Sequence, residues 1–120
     1  MEGDALSGHV VLVIEDEPSA AQELHDHLKC AGAIIARHDL QGAREHIQQR
    51  RLSAAVLDCH PTSRERRALI RSLRQNCVPI IFYGANPPGD VTTERGALFI
   101  EKPCSQEKIV AAVRYLLGRL

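Results

Sequence analysis

The chain has 120 residues, with 15 basic and 15 acidic side chains and a formal net charge of zero, which suits one domain with a single core and leaves no room for a second. Balanced charge leaves no bulk electrostatic attraction to nucleic acid or to a membrane surface, and two tyrosines, two phenylalanines and no tryptophan offer little on which bases could stack. No apolar run approaches the ~20 residues of a membrane span.

In chain order, MEGDALSG has neither a basic flank nor an apolar core, so it reads as a flexible tail over residues 1–8 rather than a secretion signal, and the domain as residues 9–120. Val10 to Ile14 is a five-residue apolar run that meets Glu15-Asp16-Glu17-Pro18. Pro18 suits the first turn of a helix, where its missing N–H costs nothing. Ala20, Ala21, Leu24, Leu28 and Ala31 recur at helical spacing, and Gly32 stops the helix. Ala33 to Ala36 reads as a second strand, and Leu40, Ala43 and Ile47 mark a second helix ending near Arg50. Ala54 to Leu57 runs into Asp58 as a third strand, and Leu69, Ile70 and Leu73 form the buried stripe of a third helix. A fourth strand spans Val78 to Phe82, with Pro79 tolerable only near its start. Asn86-Pro87-Pro88-Gly89-Asp90 opposes helix formation, so a helix over Val91 to Arg95 is expected to be short or missing. Ala97 to Ile100 is a fifth strand that runs into Glu101-Lys102-Pro103. Ser105 caps a last helix whose Ile109, Val113, Leu116 and Leu117 face the sheet.

Short apolar strands alternating with helices give an α/β fold, a doubly wound parallel sheet. In such a sheet the strand C-termini share one edge, and ligands bind there. Two strands ending in acids and a third ending in a lysine would therefore bring carboxylates and an ammonium into one crevice, a divalent-cation site beside an anion site. Mg²⁺ takes one or two carboxylates and keeps several waters. Asp16 and Asp58 can bind it directly, and Glu15, longer and less rigid, through a water.

The segments VLVIEDEP (residues 11–18), AAVLD (54–58), PIIFYGA (79–85) and FIEKP (99–103) are together similar to the response-regulator receiver domain of bacterial two-component signalling, in order and over about 90 residues. The resemblance implies a flavodoxin-like five-stranded sheet in the order 2-1-3-4-5. It implies phosphorylation of Asp58 by a histidine kinase or phosphotransfer protein, with Mg²⁺ held by Glu15, Asp16, Asp58 and the backbone carbonyl of His60. Lys102 and the backbone N–H of Ala85 would bind the phosphoryl group, and His60 and Asn86 would tune dephosphorylation. The family's switch positions correspond to Gly84 and Phe99, and both depart from its pattern: Gly84 has no hydroxyl to draw inward, and Phe99 none to swing outward. Any relay is left to Asn86, Tyr83 or the loop beyond.

The function expected is a stand-alone cytoplasmic receiver, not an enzyme acting on a separate substrate, which signals by altered binding to a downstream protein without contacting nucleic acid or membrane. The alternative is a pseudo-receiver that binds partners regardless of phosphorylation. A phosphatase of the haloacid-dehalogenase type would want an acid two residues after Asp58, where His60 stands, and no Gly-rich phosphate loop follows the first strand. Cys30, Cys59, Cys77 and Cys104 lack paired spacing and read as reduced thiols acting as small hydrophobes. Cys59, His60 and Cys104 have no metal-ligand spacing. His25 and His27 point to different helix faces. Glu17, Asp26, Asp39 and Glu45 read as solvated surface. Arg64, Arg67, Arg71 and Arg74 form a basic stripe, read first as a solvated helix face and otherwise as a contact for an acidic partner or a homodimer mate.

Overall fold

A computed structural model describes residues 6–15, 17–37, 52–58, 64–84, 97–101 and 105–118. Five strands, β1 (Val10–Ile14), β2 (Ile34–Arg37), β3 (Ala54–Asp58), β4 (Ile80–Gly84) and β5 (Ala97–Glu101), form one sheet in the order β2-β1-β3-β4-β5. Every neighbouring pair is parallel. The described helices are α1 (Pro18–Cys30), α2 (Arg64–Gln75) and α3 (Gln106–Gly118). The doubly wound sheet expected from the pattern is thus present, in the order that the resemblance implies. The second helix expected near Leu40 to Arg50 and the short one expected at Val91 to Arg95 lie outside the described residues.

The central strands are near-continuous apolar runs because both sheet faces are covered. Side chains alternate between the faces with period two. Val11, Val13, Ala54, Val56, Ile81, Tyr83 and Ile100 pack with Leu24 and Leu28 of α1 and Ile109, Val113 and Leu116 of α3. Leu12, Ile14, Ala55, Leu57, Ile80 and Phe82 pack with Leu69, Ile70 and Leu73 of α2 on the other side. The apolar stripes expected of all three helices are those that meet the sheet. His25 joins them as a buried residue of α1, whereas His27 is exposed, its Nδ1 2.9 Å from the Glu23 carbonyl. The two histidines do face different ways.

Local chemistry sets the helix ends. Glu17 is exposed, as expected, but its carboxylate also caps α1, accepting from Ser19 N at 3.1 Å and Ala20 N at 2.6 Å. Pro18 follows at the first helical position. At the far end Gly32 adopts φ 98°, with Gly32 N bonded to the Lys29 carbonyl and Ala33 N to that of Leu28. This is a Schellman motif, whose left-handed position glycine fills without a Cβ clash. α2 ends in the same motif, with Cys77 N on the Arg74 carbonyl and Val78 N on that of Leu73, but its left-handed residue is Cys77 at φ 57°. Ser105 Oγ accepts from Lys108 N at 3.2 Å at the start of α3.

Three expectations are corrected. β4 begins at Ile80 and runs on to Gly84 instead of spanning Val78 to Phe82. Pro79 has no N–H for the ladder, although its carbonyl still accepts from Ala55 N at 2.9 Å. The loose segment expected through residue 8 does not include Leu6, which is 0% exposed and whose N–H bonds the Ala31 carbonyl at 2.7 Å. An apolar side chain beside the end of α1 gains more by joining the core than by remaining in water. Cys30 and Cys77 are exposed rather than buried as small hydrophobes. Each sits at a helix C-terminus, where the local turn decides exposure. Cys59 and Cys104 lie outside the described residues.

On α2, Arg64, Arg67 and Arg71 are exposed and Arg74 is half-buried, opposite the apolar stripe. No described helix is long and apolar enough to cross a membrane.

Cys77→Gly removes a Cβ from a left-handed position and should stabilise the fold by about 1 kcal/mol, raising the melting temperature by about 4 °C. Leu6→Ala should cost about 2–3 kcal/mol, as for a core leucine, and a scan that leaves Tm unchanged would show that Leu6 is not part of the core.

Candidate functional site

The parallel ladders bring three strand ends side by side. β1 and β3 pair up to Ile14 opposite Leu57, so Glu15 and Asp58 are the next residues in register. Asp58 in turn pairs with Tyr83 of β4. Val13, Val56 and Tyr83 lie on the face covered by α1 and α3, and the two-residue period puts Glu15 and Asp58 on that face too. Glu15, Asp58 and Tyr83 therefore form a row across three adjacent strands, at the edge where a parallel sheet binds ligands.

Tyr83 and Glu17 both donate to the Glu15 carboxylate. The Tyr83 hydroxyl donates to Oε1 at 2.6 Å, and the Glu17 backbone N–H donates to Oε2 at 3.1 Å. Hydrogen bonds to an ionised carboxylate are short and about twice as strong as neutral ones. Asp58, at the end of the central strand, is only 2% exposed. Keeping a carboxylate ionised at that depth requires opposite charge or donors beside it. A second carboxylate on the neighbouring strand end adds repulsion, which a divalent cation would reverse.

The donors suit Mg²⁺. Both described carboxylates of the row offer oxygen, the hard ligand this ion prefers, and two carboxylates completed by waters are its usual protein share. Among the described residues no group of three or more His, Cys, Asp or Glu side chains is gathered to hold a metal. Asp16, His60, Ala85, Asn86 and Lys102 lie outside the described residues.

The two switch positions are described. Gly84 is the buried last residue of β4 and pairs with the exposed Glu101. Phe99 is half-buried and pairs with Phe82, in the layer that packs on α2. By alternation Gly84 belongs to that same face, opposite the one that carries Tyr83. The sequence assigned Tyr83 no definite place in the site. Its signal was available in the spacing: a hydroxyl-bearing side chain one residue before the end of β4, in register with the acid that ends β3. Glu17, exposed at the surface, also contributes, since its N–H holds Glu15 while its own side chain caps α1.

No family model and no curated protein matches the sequence. Several solved structures do match the fold. A response-regulator receiver protein from Sinorhizobium medicae WSM419 superimposes with a TM-score of 0.74 at 20% identity, over 92% of this chain and 94% of that one. The receiver domain of the sensor histidine kinase PA1611 from Pseudomonas aeruginosa PAO1, with a magnesium ion coordinated in its active-site cleft, gives 0.75 at 21% identity, over 93% and 99%. The pseudo-receiver domain of the CikA protein gives 0.66 at 20% identity, over 92% and 97%. At such identities the likeness concerns architecture, and the fold of this chain is that of the response-regulator receiver domain.

Proposed function

We propose that this chain is a receiver in a two-component or phosphorelay system, taking a phosphoryl group on Asp58 and signalling through altered binding to a partner protein. The observation that carries this reading is the placement of Asp58: a carboxylate at the end of the central strand, with Glu15 at the end of the next strand on the same sheet face.

Glu15 and Asp58, with Asp16 and the His60 carbonyl, would hold Mg²⁺. When bound, the ion neutralises charge on the phosphoryl oxygens and so lowers the repulsion that a carboxylate meets on approach. An Asp58 carboxylate oxygen attacks phosphorus, the P–O bond to aspartate forms, and the P–N bond of the donor phosphohistidine breaks. The imidazole leaves with the electron pair and takes a proton from water. Lys102 supplies an ammonium to one phosphoryl oxygen, and the Ala85 N–H supplies a neutral donor to another. His60 and Asn86 set how readily water reaches the acyl phosphate afterwards. The chain is its own acceptor, transforms no separate substrate and works in the cytoplasm. Its partners in this reading are a histidine kinase or phosphotransfer protein upstream and a protein target downstream.

Gly84 favours a second reading. With no side chain at the end of β4 and no hydroxyl on Phe99, the hydroxyl pair that the family uses to report phosphorylation is missing. A pseudo-receiver that binds partners in one state only would need neither, and a domain of that kind shares this fold.

Incubation with acetyl phosphate and Mg²⁺, followed by intact mass measurement, separates the two. One phosphoryl group is expected on the wild type and none on Asp58→Asn or after chelation of the metal. A wild type that stays unmodified, while binding its partner as well as Asp58→Asn does, would establish the pseudo-receiver reading instead.

A further inference from the structure

We infer that Tyr83 is a positioning residue for the cation site, acting through Glu15; the inference rests on the receiver reading above. Tyr83 is 4% exposed in β4, and its hydroxyl donates to Glu15 Oε1 at 2.6 Å. β3 lies between β4 and β1. The bond therefore spans two strand spacings, about 9.6 Å of sheet, and bridges the strand that ends in Asp58.

A glutamate needs such a brace. It has one more methylene than aspartate, and its extra torsion must be frozen before the carboxylate can serve a fixed ion. The Glu17 N–H holds one oxygen of Glu15 and the Tyr83 hydroxyl holds the other. Each carboxylate oxygen has two acceptor positions, so neither of these two bonds by itself uses up the oxygen that accepts it. The brace is also neutral. A phenol orients the carboxylate without adding a positive charge of its own that would compete with a cation. Groups that orient metal ligands in this way commonly change affinity tenfold or more when removed.

Isothermal titration calorimetry with Mg²⁺ tests the inference on the wild type, Tyr83→Phe, Glu15→Ala and the double variant. Tyr83→Phe is expected to weaken Mg²⁺ binding roughly tenfold, and to change nothing further once Glu15 is already alanine. Equal affinity of the wild type and Tyr83→Phe overturns the inference and leaves the receiver reading standing. A wild type that binds no Mg²⁺ overturns both. Equal weakening by Tyr83→Phe in the presence and absence of Glu15 overturns the coupling, because Tyr83 would then act without Glu15. Should phenylalanine at position 83 unfold the chain, Tyr115→Phe leaves Tyr83 as the sole tyrosine. Its near-ultraviolet absorption is then expected to shift during the Mg²⁺ titration and saturate with the calorimetric signal, and a spectrum that does not move overturns the inference.

Discussion

Backbone hydrogen bonds that run parallel from β2 to β5 hold the carboxyl ends of all five strands at one edge of the sheet. That register is the constraint on which the rest depends. A slip of one residue between β1 and β3 would turn either Glu15 or Asp58 to the opposite face, because side chains alternate with period two. The slip is resisted by the core itself. It would exchange Val11 and Val13 with Leu12 and Ile14 between two different helix layers, against α1 and α3 on one side and α2 on the other. Packing of ordinary aliphatic residues thus fixes the geometry of the acids several residues away.

The acids are unfavourable neighbours in the absence of positive charge. Asp58 is buried, and Glu15 accepts from the Tyr83 phenol and the Glu17 amide. Hydrogen bonds lower the cost of burial without changing the charge of the group that accepts them. In the proposed function a hard divalent ion would offset that charge and let a phosphoryl group approach. The helix ends show the same division of labour at smaller scale. Gly32 takes a left-handed turn without cost, whereas Cys77 takes the same turn with a Cβ.

Much of this was legible in the sequence because its signals are short-range. Apolar runs of four or five residues, Pro18 at a helix start and Gly32 at its stop each report a local backbone preference, and the structure agrees with them. Glu15 and Asp58 could be singled out because each directly follows or ends such a run. What escaped was set by tertiary contact. Nothing local marks Leu6 as core, His25 as buried or Cys77 as a left-handed residue, since each depends on what the neighbouring element presents. Tyr83 is the instructive case. Its hydroxyl meets a residue 68 positions away, and only the ladder register through Asp58 makes that pairing visible. The apolar pattern also starts β4 too early, because an apolar residue before a proline resembles a strand start while the ladder needs an N–H that the proline lacks.

The most direct measurement is a backbone amide NMR spectrum recorded as Mn²⁺, a paramagnetic stand-in for Mg²⁺, is added. If the strand ends share one cation, the amides of Ile14, Glu15, Leu57 and Asp58 broaden first and together, and excess Mg²⁺ restores them. Broadening centred elsewhere in the fold, with those four amides sharp at the same Mn²⁺ concentration, would contradict a common ion at this edge.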